Sequence, residues 1–264
     1  MRRYSIEDLQ RMKRAGERIA CLTAYDASLA RLEDQAGIEV LVIGDSLGMV
    51  IQGADTTLQV TLSDMIYHCR QVARGSDRAL LVADMPFMSY ASPQQALGNA
   101  ARLMAEGGAQ VVKLEGGHWL CETIVLLGER GIPVCAHLGL TPQSIHKLGG
   151  YHLQGREPEA AARLMEDAHR LETAGAVMLV LECVPRALAA DVTRALHIPV
   201  IGIGAGADCD GQVLVIYDLL GISPRVPRFA KDFLGEAGSV QAAIAAYLQA
   251  VKRGSFPSAE QGAD

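Results

Sequence analysis

Residues 39–46 read Glu-Val-Leu-Val-Ile-Gly-Asp-Ser, an apolar run that ends in a glycine, a carboxylate and a hydroxyl. A continuous run of Val, Leu and Ile is typical of a strand that is buried on both faces of a parallel sheet. Seven other stretches have the same character: Arg18–Thr23, Ala79–Ala83, Gln110–Leu114, Ile132–Ala136, Ala176–Leu181, Ile198–Ile203 and Gln212–Tyr217. Together with Glu39–Ile43 they give eight predicted strands.

Amphipathic segments separate most of these runs, and most of the segments end at a glycine. Their apolar residues recur at helical spacing. We expect helices at Asp26–Gln35, Leu62–Arg74, Pro93–Glu106, His118–Arg130, Glu157–Thr173 and Pro185–Leu196. Because parallel strands need crossover connections, eight strands alternating with helices favour a closed (βα)8 TIM barrel over an open doubly wound sheet. The predicted fold class is therefore α/β.

The 264 residues fit one such barrel, so we expect a single domain over residues 1–264. Ser5 and Asp8 have the spacing of a capping box, which predicts an extra N-terminal helix at Ile6–Arg14 before the first strand. Residues 254–264 are small and polar, and we expect them to form a disordered tail.

Composition and charge exclude several classes of partner. The formal net charge of −6 and the isoelectric point near 5.7 predict repulsion from nucleic acid and from anionic lipid. The six cysteines are scattered without a C-x-x-C pair, which fits a reducing cytoplasm better than a disulfide framework. No apolar run approaches the ~20 residues that span a bilayer. We therefore expect a cytoplasmic protein without a nucleic-acid or membrane partner.

Carboxylates end three neighbouring predicted strands. Asp45 follows the second strand, Asp84 the third and Glu115 the fourth. A βα barrel builds its active site at the C-terminal ends of its strands, so these side chains are expected to converge at the mouth. Buried carboxylates repel each other unless a cation lies between them, and hard oxygen ligands select Mg2+ or Mn2+. The sequence predicts a divalent metal site, with turn or helix-cap roles for the aspartates as the structural alternative.

Three further polar residues end predicted strands. Lys113 points to the same face of its strand as Glu115, where it could bind the carboxylate of an anionic substrate or form a structural ion pair. Glu182 ends an apolar run, a setting that suits a general base, with a buried salt bridge as the alternative. His137 lies between Ala136 and Leu138, where a catalytic and a structural role are equally compatible with the sequence.

The glycine-rich stretch at residues 202–207 matches the G-x-G-x-x-A pattern of dinucleotide-binding loops. A Rossmann unit needs a helix directly after the glycines and several more strands, whereas Asp208-Cys209-Asp210-Gly211 follow here. Close approach of the backbone to a ligand at the seventh strand explains the glycines equally well.

Several long motifs occur in order along nearly the whole chain: Thr23–Asp26, Val42–Met49, Ala83–Met88, Val112–Gly117, Ala136–Ser144, Leu181–Pro185 and Pro199–Gly206. Together they resemble the ketopantoate hydroxymethyltransferase family. The resemblance implies a phosphoenolpyruvate/pyruvate-like barrel that assembles as a homodecamer in the cytoplasm. Tyr217 stands where a His is expected in many members of the family, which leaves the local packing or pocket detail open.

The resemblance also implies a reaction. One hydroxymethyl group passes from 5,10-methylenetetrahydrofolate to 3-methyl-2-oxobutanoate and gives 2-dehydropantoate, with Mg2+ as cofactor. It assigns residue roles in the same way. Glu182 is the expected proton acceptor, the metal site consists of Asp45, Asp84 and Glu115, with Glu115 expected to reach the ion through water, and the expected substrate-binding residues are Asp45, Ser46, Asp84, Lys113 and His137.

Three other functions are compatible with parts of the pattern. Another Mg2+-dependent 2-oxo acid aldolase or lyase would use the same acidic residues with a different electrophile. An NAD(P)-dependent oxidoreductase would use the glycines at residues 202–207. A barrel that binds a metal or an anion for structural purposes would show no turnover.

Overall fold

Eight parallel strands close into one barrel in the order of the sequence. The computed structural model describes residues 2–223 and 226–261. Each strand pairs with the next one along the chain, and the last pairs with the first. The strands are β1 (Ile19–Thr23), β2 (Val40–Ile43), β3 (Leu80–Asp84), β4 (Val111–Glu115), β5 (Val134–Gly139), β6 (Met178–Glu182), β7 (Val200–Ile203) and β8 (Gly211–Leu214). The predicted barrel is confirmed.

Helices surround the barrel, and each of the predicted helical segments contains one. The α-helices are α1 (Ile6–Ala15), α2 (Ala27–Ala36), α3 (Leu47–Val50), α4 (Leu62–Gly75), α5 (Pro93–Arg102), α6 (Cys121–Glu129), α7 (Ile145–Leu148), α8 (Pro158–Thr173), α9 (Arg186–Ala195), α10 (Ile216–Leu219), α11 (Leu234–Ala237) and α12 (Val240–Lys252). A π-helical turn at Leu103–Gly107 continues α5, and short 3-10 turns lie at His118–Leu120, Pro142–Ser144 and Ala259–Gln261.

The N-terminal helix closes the bottom of the barrel. Ser5 caps α1 through the predicted capping box, because its side chain accepts from the Asp8 amide and the Asp8 carboxylate accepts from the Ser5 amide. Leu9 and Met12 then pack against the apolar side chains inside the barrel. The barrel interior is therefore packed at the N-terminal ends of the strands, and a substrate can approach it from their C-terminal ends.

Two predictions about connections are wrong. The last candidate strand was expected to run to Tyr217, but β8 ends at Leu214 and Tyr217 lies on α10. The strict alternation of strand and helix also fails, because β7 passes to β8 through residues 204–210 without a helix. Gly204 and Gly206 adopt left-handed backbone angles in this short turn, which side chains with a Cβ rarely adopt.

The predicted disordered tail is wrong for residues 254–261. Phe256 is 4% exposed, and its ring contacts those of Phe233 and Tyr247 at centroid distances of 5.6 Å. Composition missed this because a single aromatic ring anchors an otherwise small and polar stretch. Residues 262–264 lie outside the described residues.

A search of the described residues finds no helix long and apolar enough to cross a membrane.

Replacing Phe256 tests whether the C-terminal segment is part of the core. We expect Phe256→Ala to lower the free energy of unfolding by about 3–5 kcal/mol, because it empties a buried aromatic site. Urea unfolding followed by circular dichroism measures the change. Ser258→Ala, at an exposed position two residues away, is the control. A loss for Phe256→Ala as small as that of the control would mean that the segment does not stabilise the barrel.

Candidate active site

The alternation of side chains along the strands gathers polar groups inside the barrel mouth. Along β3, Leu80 and Val82 belong to the interior apolar cluster, and Asp84 continues the same face two residues later. By the same rule β4 presents Lys113 and Glu115, β5 presents His137 and β6 presents Glu182. Strand register brings Asp84 beside Lys113, and Glu115 beside His137.

Asp45, Asp84 and Glu115, which we call the acidic cluster, lie together at the mouth, and the last two contact one ammonium group. The Asp45 amide donates to Asp84 Oδ2 at 3.1 Å. Lys113 Nζ lies 3.2 Å from Asp84 Oδ2 and 3.6 Å from Glu115 Oε1. These four side chains are at most 6% exposed, so their charges interact with little screening by water. The predicted convergence of the three carboxylates is observed.

The charges in this cluster shift each other's pKa values. Burial, followed by the carboxylates of Asp84 and Glu115, raises the pKa of Asp45 well above its usual range. Burial also raises the pKa of Asp84, although Lys113 opposes this. Burial would lower the pKa of Lys113, but the surrounding carboxylates outweigh it and raise that pKa. Lys113 therefore stays positively charged, whereas ionisation of Asp45 or Asp84 costs free energy in the folded protein.

His137 links the acidic cluster to Glu182. His137 Nδ1 lies 3.1 Å from Lys113 Nζ and 3.5 Å from Glu115 Oε1, while Nε2 lies 3.4 Å from Glu182 Oε2. Burial and the Lys113 charge lower the pKa of His137, but its contacts with the two glutamates outweigh them and raise it to about 9. The two glutamates thus favour the charged form of the imidazole, and Glu182 is the more exposed end of the chain of contacts.

Ser46 lies beside the cluster at the start of α3 and is held by Tyr25. The two hydroxyl oxygens are 2.8 Å apart, and Tyr25 is fully buried. Gly44 leaves the room for this arrangement, since a Cβ at that position would come within 2.7 Å of Ser46 Oγ. The hydrogen bond to Tyr25 therefore fixes the orientation of the Ser46 hydroxyl, which is the predicted substrate-binding serine.

Gln143 is a site residue that the sequence reasoning missed. Its side-chain amide donates to Asp45 Oδ2 at 2.8 Å and to the Met85 carbonyl at 2.9 Å, and its backbone amide donates to Glu115 Oε2 at 3.0 Å. Tyr90 donates its hydroxyl to Gln143 Oε1. A neutral glutamine after β5 gives no sequence signal of its own. Only the barrel closure brings it across to carboxylates on β2 and β4.

The residues of the acidic cluster fit a divalent cation in chemistry. Buried Asp84 Oδ1 and Glu115 Oε1 have no hydrogen-bond partner among the described residues. Together with Glu182, the three carboxylates outnumber the positive charges of Lys113 and His137. In their present positions, no three His, Cys, Asp or Glu side chains of the described residues are arranged to hold a metal ion. Lys113 Nζ lies within 3.6 Å of both Asp84 and Glu115 and already supplies one positive charge to those two carboxylates.

The glycines at residues 202–207 do not form a dinucleotide-binding loop. They end β7 and lead into β8 instead of opening a helix, so the pyrophosphate-binding helix N-terminus of a Rossmann unit is missing. Tyr217 is half-buried, and its ring lies 5.9 Å from that of Tyr25. It therefore contributes to packing behind the residue that holds Ser46.

Comparison with known families agrees with this site. The family model of ketopantoate hydroxymethyltransferase matches residues 3–259. The chain belongs to this family. Relatives with the name 3-methyl-2-oxobutanoate hydroxymethyltransferase include one from Nitrosococcus oceani, 60% identical over 98% of this chain and 99% of the relative. Another, from Methylococcus capsulatus, is 58% identical over 96% of this chain and 94% of its own. The predicted resemblance is confirmed.

Solved structures with low sequence identity share the fold. A putative phosphonomutase from Burkholderia cenocepacia superposes with a TM-score of 0.65 at 17% identity, covering 82% of this chain and 94% of its own. The 2,3-dimethylmalate lyase of the PEP mutase/isocitrate lyase superfamily superposes with a TM-score of 0.60 at 17% identity, covering 98% of both chains. These matches agree with the closed barrel of eight parallel strands.

Neutralising Asp45 tests the electrostatic cost of the acidic cluster. Because the folded state raises the pKa of Asp45, ionising it costs stability as the pH rises, and that cost is present at pH 7. We expect Asp45→Asn to stabilise the metal-free protein by about 0.5–2 kcal/mol, since the amide oxygen can still accept from Gln143. Chemical unfolding in EDTA at pH 7 measures the difference.

Asp191→Asn on the exposed face of α9 is the matched control, and we expect little change from it. Destabilisation of the metal-free protein by Asp45→Asn would contradict the charge repulsion inferred for the cluster.

Proposed function

We propose that this protein transfers a hydroxymethyl group from 5,10-methylenetetrahydrofolate to 3-methyl-2-oxobutanoate and releases 2-dehydropantoate, in pantothenate and coenzyme A biosynthesis. The observation that carries the proposal is the buried acidic cluster joined through Lys113 and His137 to Glu182. Membership of the ketopantoate hydroxymethyltransferase family supports the identity of the substrates.

Lys113 and Ser46 are suited to hold the 2-oxo acid. Lys113 stays protonated because the surrounding carboxylates raise its pKa, so it offers a permanent positive charge to the substrate carboxylate. Ser46 supplies a hydroxyl that Tyr25 fixes from behind. Asp45, Asp84 and His137 are the other proposed contacts of the 2-oxo acid. An anionic substrate of a few carbon atoms matches this arrangement.

The carboxylates of Asp45 and Asp84 are the proposed ligands of one Mg2+ ion, and Glu115 is the third acidic partner, through water. Carboxylate oxygens without nearby cysteine suit Mg2+ in preference to zinc. When bound, the ion would act as a Lewis acid that makes the proton at C3 of the 2-oxo acid more acidic and stabilises the charge formed by its removal.

Glu182 is the proposed proton acceptor. It is the most exposed carboxylate of the site, with 14% of its side chain accessible, so it lies where a substrate enters. His137 Nε2 lies 3.4 Å from Glu182 Oε2 and holds the carboxylate in place by charge attraction. Glu182 takes the C3 proton, and the resulting carbon nucleophile forms a bond to the one-carbon unit of the folate. The two C–N bonds between the one-carbon unit and the folate break, and water supplies the hydroxyl of the product. The proton taken by Glu182 and one proton of that water restore the two N–H groups of the tetrahydrofolate that leaves.

Glu182→Gln separates binding from proton removal. The amide keeps the size of the side chain but cannot accept the proton, so we expect exchange of the C3 proton for deuterium to fall about 10^2- to 10^4-fold. Binding of 3-methyl-2-oxobutanoate by calorimetry is expected to stay within about threefold. Glu166→Gln, on the exposed face of α8, is the control. Unchanged C3 exchange in Glu182→Gln would remove this residue from the role.

The product assay tests the whole proposal. We expect 2-dehydropantoate from 3-methyl-2-oxobutanoate and 5,10-methylenetetrahydrofolate in the presence of Mg2+, and no product in EDTA. Calorimetric titration of Mg2+ into the wild-type protein and into Asp84→Asn measures the metal site without turnover. Absence of product with Mg2+ would contradict the function, and product from the 2-oxo acid with another electrophile alone would favour an aldolase or lyase instead.

The homodecamer and the cytoplasmic location implied by the family remain predictions. Light scattering of the purified protein measures its mass and tests the first.

A further inference from the structure

The barrel mouth carries an exposed aromatic residue that the reaction described above does not use. Tyr151 follows α7 and is 55% exposed, and its hydroxyl lies 3.5 Å from the sulfur of Met49, which is 37% exposed at the end of α3. Partial burial, followed by the carboxylates of Glu182 and Asp45, raises the pKa of Tyr151. Met49 lies on the helix that follows the C-terminal end of β2, so the pair lies at the mouth end of the barrel.

The loop that carries Tyr151 is held in a defined shape. Gly149 and Gly150 both adopt left-handed backbone angles and turn the chain after α7. The backbone N–H of Gln154 then donates to the carbonyl of Cys183 at 2.8 Å, and Cys183 is the residue that follows Glu182. Tyr151 is thus fastened on one side to α3 through Met49 and on the other to the end of β6.

We propose that Tyr151 and Met49 form a binding subsite for the flat ring system of the reduced folate. An aromatic ring and a thioether are well suited to contact a planar heterocycle. This inference rests on the proposed function, which requires a second substrate to approach the carbon nucleophile. The barrel core fills the space below the site, so the second substrate approaches from the mouth, where Tyr151 and Met49 lie.

Calorimetric titration with tetrahydrofolate, in the presence of Mg2+ and 3-methyl-2-oxobutanoate, tests the aromatic part of the subsite. We expect Tyr151→Ala to raise the dissociation constant of tetrahydrofolate about tenfold or more, and Tyr151→Phe to keep it within about twofold. The KM for 5,10-methylenetetrahydrofolate should rise in parallel, while the KM for 3-methyl-2-oxobutanoate stays within about twofold. Tyr67→Ala, which removes a tyrosine that is 60% exposed on α4, is the matched control.

Two results would overturn the subsite: unchanged tetrahydrofolate binding in Tyr151→Ala, or equal rises of both KM values. A wild-type protein that forms 2-dehydropantoate together with either result would reject the subsite and leave the proposed function intact. A wild-type protein that neither binds tetrahydrofolate nor forms the product would reject both.

Discussion

Lys113 places its ammonium group between two buried carboxylates, 3.2 Å from Asp84 and 3.6 Å from Glu115, in a layer where water is excluded. A lone carboxylate there would stay protonated, and a lone lysine would lose its proton. Each charge is tolerated because the other is present. The surplus of carboxylates over cations in this layer leaves the site able to accept one more positive charge, and the proposed metal chemistry depends on that imbalance.

The barrel supplies the rigidity that such an imbalance requires. On β3 and β4 the interior face changes from apolar to charged between residues that are two apart in sequence. The same strands that pack the interior therefore hold Asp84, Lys113 and Glu115. Gln143 joins carboxylates from separate strands with two donors. Charge repulsion among the carboxylates therefore lowers the stability of the folded protein, while the strands hold these side chains in place. Such a loss of stability is typical of functional sites.

Much of this arrangement could be predicted from strand patterning, because residues that end parallel apolar runs must meet at one end of a barrel. Asp45, Asp84, Lys113, Glu115, His137 and Glu182 all follow from that rule. Gln143 could not be found in this way, because its role depends on contacts across the mouth between residues far apart in sequence. The buried Phe256 and the turn from β7 to β8 were missed for a related reason. Both depend on tertiary packing, which overrides local composition.

The measurement that tests the central claim most directly is a crystal structure of the protein with Mn2+ and 3-methyl-2-oxobutanoate, with the ion located by its anomalous scattering. The account predicts one ion in contact with the carboxylates of Asp45 and Asp84, with the 2-oxo acid carboxylate near Lys113 and its C3 facing Glu182. An ion bound elsewhere, or a 2-oxo acid whose C3 lies away from Glu182, would contradict it.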